Sequence, residues 1–210
     1  MAGRGRRGRQ WQSPFGSHVY LSQYRSMEDG LVAASGLSLA IGVAVMRACN
    51  RFVSEGIELK WPNDVLHNKR KLAGILVEAE GQSDGVCHLV VGIGINIQMP
   101  EKAAEEIDQD WVDLMTIAEN EVDRNQFVSV LLDELDAVIQ EYKSNRLTNL
   151  MQEWNANNAF KGRSVSITSN RHSQSGICLG IDDSGALKIK DEASDKVSSI
   201  YGGEVSLRLK

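Results

Sequence analysis

The chain has 210 residues, of which 42% are hydrophobic and 24% are charged, with 19 glycines and 3 prolines. This composition is typical of a globular protein and excludes a collagen-like, disordered or disulfide-scaffold chain. The length allows one large and one small domain, because most domains have roughly 100 to 150 residues. The longest uncharged apolar run, residues 31–46, is shorter than the roughly 20 residues of a membrane-spanning helix, so we expect a buried helix and no membrane partner.

Charge and cysteine usage indicate a cytoplasmic protein that does not bind nucleic acid. The three cysteines, Cys49, Cys87 and Cys178, are too widely spaced for zinc or a redox dithiol, and we expect reduced thiols in the core. The net charge is −5, yet the first ten residues contain four arginines and no acidic residue. Positive charge this local indicates an equally local anionic ligand. No apolar signal segment follows these arginines, which favours the cytoplasm.

Residues 1–161 are predicted to form one domain with both strands and helices. Apolar and β-branched runs predict four strands, the last two of them an antiparallel hairpin, at residues 19–24, 57–61, 72–80 and 87–97. A run rich in small residues predicts one long helix over 31–52. Asp123 is expected to cap a helix with an apolar face from Phe127 to Tyr142, followed by a second helix at 147–154. Residues 101–120 are acidic and weakly patterned.

Residues 162–210 are predicted to form a separate small β-barrel, with the boundary near Lys161. Turn signals separate five short alternating segments, which is typical of such barrels. The predicted strands are residues 164–168, 175–181, 186–190, 196–200 and 205–209.

The segment from Gly3 to Gly8 matches the pattern G-x-G-x-x-G. A dinucleotide site of this kind needs a strand before the pattern and a helix after it, and the sequence predicts neither. Flexible backbone amides with interleaved arginines instead favour a loop that binds phosphate or carboxylate. The alternative is a solvated basic tail.

Two further segments carry polar groups next to predicted strands. In Lys60-Trp61-Pro62-Asn63-Asp64, Asp64 is suited either to hold Mg²⁺ or to cap a turn, and taken alone the turn cap is favoured. Lys71 brings a cation to the start of a strand, where Gly74 leaves the backbone open to a ligand. The alternative for this segment is a charged hairpin end.

Gly92 and Gly94 lie two residues apart, so they share one face of a strand and leave space for a flat ligand. A bulge or close helix packing would also explain them. Trp111 either stacks on a base or anchors its acidic segment. The histidines lack metal-ligand spacing and no nucleophile motif is present, which excludes zinc and hydrolase chemistry. The remaining parts suit a nucleoside triphosphate held beside a small flat acid.

Taken together, these motifs resemble those of bacterial biotin–protein ligases over nearly the whole chain. Four separate motifs in order are far more specific than any one of them. They are Gly3–Arg9 with Trp11 and Ser13-Pro14-Phe15-Gly16, then Lys60–Asp64, Lys71–Leu76 and Gly92–Asn96, with Gly202–Leu207 near the C-terminus. The resemblance implies an α+β fold: a mixed β-sheet with helices largely on one face, as in class II synthetases, followed by an SH3-like barrel.

The resemblance also implies a two-step reaction. Biotin and MgATP give biotinyl-5'-AMP and pyrophosphate, and the biotinyl group then passes to one lysine of the biotin carboxyl carrier protein of acetyl-CoA carboxylase. The implied ligands are therefore biotin, ATP and Mg²⁺, and the implied partners are the carrier protein and a second copy in a homodimer.

Site roles carry over by position. Lys71, Arg6 and Arg4 are expected to be catalytic, with Lys71 bridging the biotin carboxylate and the α-phosphate. The residues expected to bind biotin are Gly3, Arg4, Gly74, Gly92 and Gly94. Those expected to bind the nucleotide are Arg6, Arg9, Trp11, Asn63, Asn96 and Trp111. Asp64 is expected near Mg²⁺.

In the resembled family, residues that contact the biotin ureido group precede the arginine-rich loop. This sequence begins at the loop, so we expect those contacts, and any winged helix-turn-helix, to lie outside it. The alternative function is a non-catalytic biotin-binding or dimerisation fragment that associates through exposed sheet edges.

Overall fold

The computed structural model describes residues 3–8, 10–28, 30–81, 84–105, 107–169, 173–202 and 205–210. Two very short paired strands come first, with a 3-10 turn at Arg6–Gly8 between them: β1 (Gly3–Arg4) and β2 (Gln10–Trp11). The elements of the main sheet and its first helix come next: β3 (Val19–Met27), α1 (Leu37–Cys49), β4 (Ile57–Lys60), β5 (Asp64–His67), β6 (Arg70–Gly81) and β7 (Cys87–Ile95). Four helices complete this part of the chain: α2 (Glu101–Ala104), α3 (Leu114–Ile117), α4 (Arg124–Asn145) and α5 (Leu150–Ala156).

The main sheet has the order β3-β7-β6-β5-β4, and α1 packs on it with α4 behind. Its strand pairs are all antiparallel, including the predicted hairpin of β6 and β7. Among the described residues, parallel pairing occurs only as two isolated bridges, Leu59–Asn158 and Lys71–Trp111. The α+β class is therefore confirmed, while the expected mixed character of the sheet is limited to those bridges.

The two faces of the sheet differ in character, as β7 shows. Leu89, Val91 and Ile95 are fully buried on the helix side. Between them, Val90 is exposed, and Gly92 and Gly94 carry no side chain. Alternation thus leaves the opposite face free of helices from this part of the chain, and that face carries the candidate site.

Three local predictions are wrong in detail. The expected helix over 31–52 is interrupted at Gly36, where φ is +85° and a Cβ would lie 2.5 Å from Leu147 Cδ1, so a 3-10 turn at Leu31–Ala34 precedes α1. Asn63 and Asp64 do not simply end a strand, because β5 begins at Asp64 and pairs with both β4 and β6. The helix expected at 147–154 is α5, which starts at Leu150. The predicted cap of α4 is confirmed: Asp123 Oδ1 accepts from Gln126 N at 2.9 Å.

The C-terminal region forms a second antiparallel sheet with the order β11-β10-β9-β8-β12. Its strands are β8 (Ser164–Ser169), β9 (Ser173–Ile181), β10 (Leu187–Lys190), β11 (Val197–Ile200) and β12 (Val205–Leu209). All five predicted strands are present, which agrees with the expected small barrel. The domain division at residue 161 stays a prediction. The three cysteines are free and buried, as expected. Within the described ranges, no helix is long and apolar enough to cross a membrane.

Candidate active site

Lys71 is the central cation of the open sheet face. Its ammonium lies 2.8 Å from Asp64 Oδ1, and only 16% of its side chain is exposed. The other oxygen, Asp64 Oδ2, lies 3.5 Å from the ammonium of Lys60. The Lys71 ammonium also lies 5.2 Å from the ring centroid of Trp11. The arrangement fixes a positive charge in a partly buried place, where it acts more strongly than in water.

A β-bulge in β6 brings Lys71 to this face. Val65 pairs with Ala73 and Leu66 pairs with Lys71, so Leu72 is an extra residue in the register. Leu72 and Ala73 are consecutive, yet both are fully buried. Lys71 therefore lies on the same side as Gly74, where a Cβ would meet Lys71 Cε at 3.4 Å.

The glycines of β6 and β7 form a floor, defined here as Gly74, Gly92 and Gly94. Gly74 and Gly94 are directly paired across the two strands, and the indole of Trp11 lies on both. A Cβ on either would come within 2.8 Å of that ring. A Cβ on Gly92 would make contacts no shorter than 3.6 Å. The expected flat group on the floor is thus, in this structure, the chain's own Trp11, and the space above Gly92 is open.

The arginine-rich loop is fastened beside this floor. Arg6 Nη1 donates to Asn63 Oδ1 at 3.1 Å. Asn63 is itself locked to β6, since its Nδ2 donates to Ile75 O at 2.8 Å and its carbonyl accepts from Ile75 N at 2.9 Å. The loop closes where Gly3 N donates to Ser13 Oγ at 2.9 Å. Arg6 therefore reaches the site through Asn63.

Arg4 is directed elsewhere. Its Nη2 lies 3.2 Å from Glu78 Oε2, and 77% of its side chain is exposed. Arg9 lies outside the described residues. Of the arginines named from the sequence, Arg6 is the one that the structure joins to the Lys71 cluster.

Asn96 differs from expectation because its amide is already used. The side chain is buried, and Nδ2 donates to Val112 O at 3.1 Å and to Lys71 O at 3.3 Å. Trp111 lies in the segment so held, its backbone bridging to Lys71. It lines an open cavity of about 600 Å³ together with Arg70 and residues 107–112. We therefore interpret Asn96 as a residue that positions Lys71 and the segment of Trp111, and not as a direct nucleotide contact.

The surroundings of Asp64 are cationic. Both carboxylate oxygens face lysine ammonium groups, and the described part of the chain contains no group of three His, Cys, Asp or Glu side chains suited to a metal. A single carboxylate fits Mg²⁺ only where phosphates supply most of the other ligands. These residues thus fit a Mg²⁺ that arrives with ATP and do not form a cage of their own.

Sequence reasoning assigned no role to Lys60. The signal was nevertheless in its spacing, because a strand that reverses just after Pro62 brings residue 60 opposite residue 64. Lys60 and Asp64 are indeed partners in the β4–β5 pairing. Glu78, the partner of Arg4, was also missed, since only the three-dimensional sheet brings the N-terminal loop over β6.

His18 supports the far end of β7. It is buried, and its Nδ1 accepts from Ile97 N at 3.0 Å, which requires an unprotonated nitrogen. Burial lowers the pKa of His18, although the charge of Asp113 and a backbone hydrogen bond at Ser17 oppose that shift. A neutral His18 therefore stabilises the backbone next to Asn96.

Comparisons with known proteins agree with this geometry. Residues 1–96 match the model of the biotin/lipoate A/B protein ligase family, and residues 160–208 match that of the biotin protein ligase C-terminal domain. The bifunctional ligase/repressor BirA of Escherichia coli is 37% identical over 207 residues, which cover 99% of this chain and 64% of BirA. The chain thus spans less than two thirds of that relative.

Other relatives are covered more fully. The biotin–[acetyl-CoA-carboxylase] ligase of Paracoccus denitrificans is 33% identical over 93% of this chain and 83% of its own length. The structure of biotin protein ligase from Aquifex aeolicus in complex with biotin and ATP superposes with a TM-score of 0.79 at 26% identity, covering 99% of this chain and 84% of that one. By its sequence and its fold, the chain belongs to the biotin–protein ligase family.

Proposed function

We propose that this protein activates biotin with MgATP to biotinyl-5'-AMP and then transfers the biotinyl group to a lysine of a biotin carboxyl carrier protein. The observation that carries this proposal is the Lys71 ammonium, fixed by Asp64 beside the glycine floor and the arginine-rich loop. The Aquifex aeolicus relative contains both biotin and ATP in its complex, and the Paracoccus relative is named for acetyl-CoA carboxylase.

In the first step, a carboxylate oxygen of biotin attacks the α-phosphorus of ATP, and the bond from that phosphorus to the pyrophosphate oxygen breaks. Negative charge accumulates between the two reactants. Lys71 stabilises this charge, and Asp64 and Lys60 hold it in place before the substrates arrive. No protein atom is acylated, so the contribution of the chain is positioning and charge stabilisation.

In the second step, the ε-amine of the carrier lysine attacks the acyl carbon of the adenylate. The acyl–oxygen bond breaks, AMP leaves with the electron pair, and the amine loses a proton to form an amide. Arg6, held by Asn63, keeps the arginine-rich loop over the intermediate until the carrier arrives. Gly3, Arg4 and Arg9 belong to the same loop.

The glycine floor receives the fused rings of biotin. Because Trp11 already lies over Gly74 and Gly94, biotin enters above Gly92 and shifts the indole towards the side of its valeryl chain. The cavity beside Trp111 receives the adenine, and Mg²⁺ arrives on the phosphates with Asp64 as its nearest carboxylate.

A homodimer and a cytoplasmic location complete the proposal. Among the described strands, β3 pairs on one side only, with β7, so its outer edge is open to another strand. The reduced thiols at all three cysteines support a reducing compartment.

The test is exchange of labelled pyrophosphate into ATP, measured with biotin, lipoate or octanoate as the acid. It is run on the 210-residue chain and, where the coding sequence continues upstream of Met1, on the longer gene product. We expect exchange that depends on biotin and is strongest with any upstream segment present. Equal exchange with lipoate would refute the biotin assignment, and biotin binding without exchange in either form would favour the non-catalytic alternative.

A further inference from the structure

The indole of Trp61 joins the main sheet to the C-terminal barrel. Its Nε1 donates to Gly185 O at 3.1 Å, and the side chain is only 1% exposed. Trp61 lies directly between Lys60, at the end of β4, and the residues that hold the site, Asn63 and Asp64. The hydrogen bond therefore connects a turn of the barrel to the segment from which the site is built.

The acceptor of this bond is rigidly held. Gly185 has φ +82°, and a Cβ there would lie 3.1 Å from both Gly36 Cα and Leu39 Cδ1, so the backbone of the barrel approaches α1 very closely. The carboxylate of Asp182 organises the turn, since its Oδ1 accepts from Ser184 N at 3.1 Å and from Ala186 N at 3.0 Å. The direction of the Gly185 carbonyl is consequently set by the barrel and not by the main sheet.

The segment 61–64 has two other attachments, and neither belongs to the barrel. Pro62 O accepts from Ser38 Oγ of α1 at 3.1 Å, and Asn63 is locked to Ile75 of β6. The Trp61 bond is thus the attachment through which the barrel acts on this segment. Directly beyond it, Asn63 holds Arg6 and Asp64 holds Lys71.

We propose that Trp61 is a positioning residue, through which the barrel turn 182–186 fixes Asn63 and Asp64 and thereby places Arg6 and Lys71 for the adenylation step. The proposal rests on the function proposed above for its kinetic consequence, whereas its structural part is independent of activity. The barrel is then a component of the catalytic geometry as well as a neighbouring domain.

Two variants test the link from its two ends. Trp61→Phe removes the N–H donor and keeps a large aromatic ring, and Asp182→Ala releases the barrel turn without touching the main sheet. The matched control is Asn155→Ala, because Asn155 joins α5 to the barrel by two bonds to Ile181, at 3.0 and 2.8 Å, and both bonds lie outside segment 61–64. All three variants loosen the contact between barrel and main sheet, but only the first two act on the link.

The first readout is amide hydrogen exchange over residues 63–67, which needs no substrate. We expect exchange to speed up by at least about threefold in Trp61→Phe and in Asp182→Ala, and to stay at the unmutated rate in Asn155→Ala. Unchanged exchange in both test variants, or equal acceleration in the control, overturns the proposal whether or not the protein is a ligase. If Trp61→Phe does not fold, Asp182→Ala decides by the same measure.

The second readout is the rate of biotin-dependent pyrophosphate exchange in a double-mutant cycle. Trp61→Phe should lower kcat about tenfold in the unmutated background but less than about twofold in Asp64→Asn, because the link acts through Asp64. Losses that simply multiply overturn the route through Asp64. Absence of exchange in the unmutated protein contradicts the proposed function alone, and the hydrogen-exchange result then decides the positioning by itself.

Discussion

The carboxylate of Asp64 lies between two ammonium groups, 2.8 Å from that of Lys71 and 3.5 Å from that of Lys60. One anion between two cations leaves the cluster with a net positive charge, and the attraction of Lys71 to Asp64 keeps its long side chain from moving freely. A cation held in this way needs little reorganisation when negative charge develops beside it.

Lys71→Ala should therefore reduce adenylation sharply and leave the fold intact. Loss of one preorganised charge-stabilising group costs about 2.7 to 4 kcal/mol, which corresponds to roughly 10² to 10³ in kcat. The measurement is single-turnover formation of biotinyl-5'-AMP, with Lys161→Ala, an exposed lysine, as the matched control. A change of less than about threefold would show that Lys71 is an ordinary paired lysine.

Gly94→Ala should displace Trp11 and weaken biotin binding. The new methyl group would lie 2.8 to 3.0 Å from three atoms of the indole, so the ring must move. Gly92→Ala is the matched control, because a methyl group there meets only ordinary contacts of 3.6 Å and more. We expect near-ultraviolet circular dichroism to change in the first variant and not in the second. Biotin affinity, measured by calorimetry, should fall in both, since each narrows the floor, and undiminished affinity in both would remove biotin from it.

Arg6→Gly should separate adenylate formation from adenylate retention. Without the bond from Arg6 Nη1 to Asn63 Oδ1, the arginine-rich loop loses its attachment to the site, and the reactive intermediate escapes more rapidly. The measurement is biotin incorporated into a bystander protein that lacks the carrier sequence. Labelling should rise above that of the unmutated protein, and Arg4→Gly should have a smaller effect because the pair with Glu78 is exposed. Unchanged bystander labelling, with adenylate still made, would mean that Arg6 does not retain the intermediate.

His18 should make the protein less stable in mild acid. Its pKa is lowered by burial from the ordinary value of 6.5, so below that pH the unfolded chain binds a proton that the folded chain does not. The stabilisation is complete above pH 6.5 and is lost as the pH falls, by up to about 1.4 kcal/mol per pH unit. Urea unfolding between about pH 7.5 and 5.5 should show this slope.

The control for that experiment keeps the hydrogen bond. His18→Asn retains an acceptor for Ile97 N and should flatten the slope, whereas His88→Asn, on the exposed sheet face, should leave it unchanged. The flattening is partial, because burial and the charge of Arg70 also lower the pKa of His67. A slope that His18→Asn does not alter would exclude His18 as its source.

The fold was predictable wherever local patterning determines it. The hairpin of β6 and β7 and the five barrel strands are explained by alternation and turn residues, and Asp123 caps α4 as its sequence indicates. The break at Gly36 was not predictable, because it results from contact with Leu147, more than a hundred residues away. β5 was missed because Asn63 and Asp64 have strong turn preferences, and only pairing on both sides makes a strand of residues 64–67.

The site was predictable as a set of residues but not as an arrangement. Motif spacing named Lys71, Asp64, Asn63 and the glycines, since each motif occurs at the end or on one face of a strand. It could not show that Trp11 covers the floor or that the amide of Asn96 is buried under backbone carbonyls. Both depend on segments that meet only in the folded chain.

The bulge at Leu72 has a consequence for how the length of this strand is constrained. In a regular strand, positions 71 and 74 would face opposite sides, so the extra residue is what unites the cation and the ligand floor on one surface. A deletion of Leu72 would leave every charged and glycine residue of the motif in the sequence. It would nevertheless turn the lysine towards the helices, where an unpaired ammonium is costly. The number of residues between Lys71 and Gly74 is therefore as strict a requirement for this chemistry as their identities.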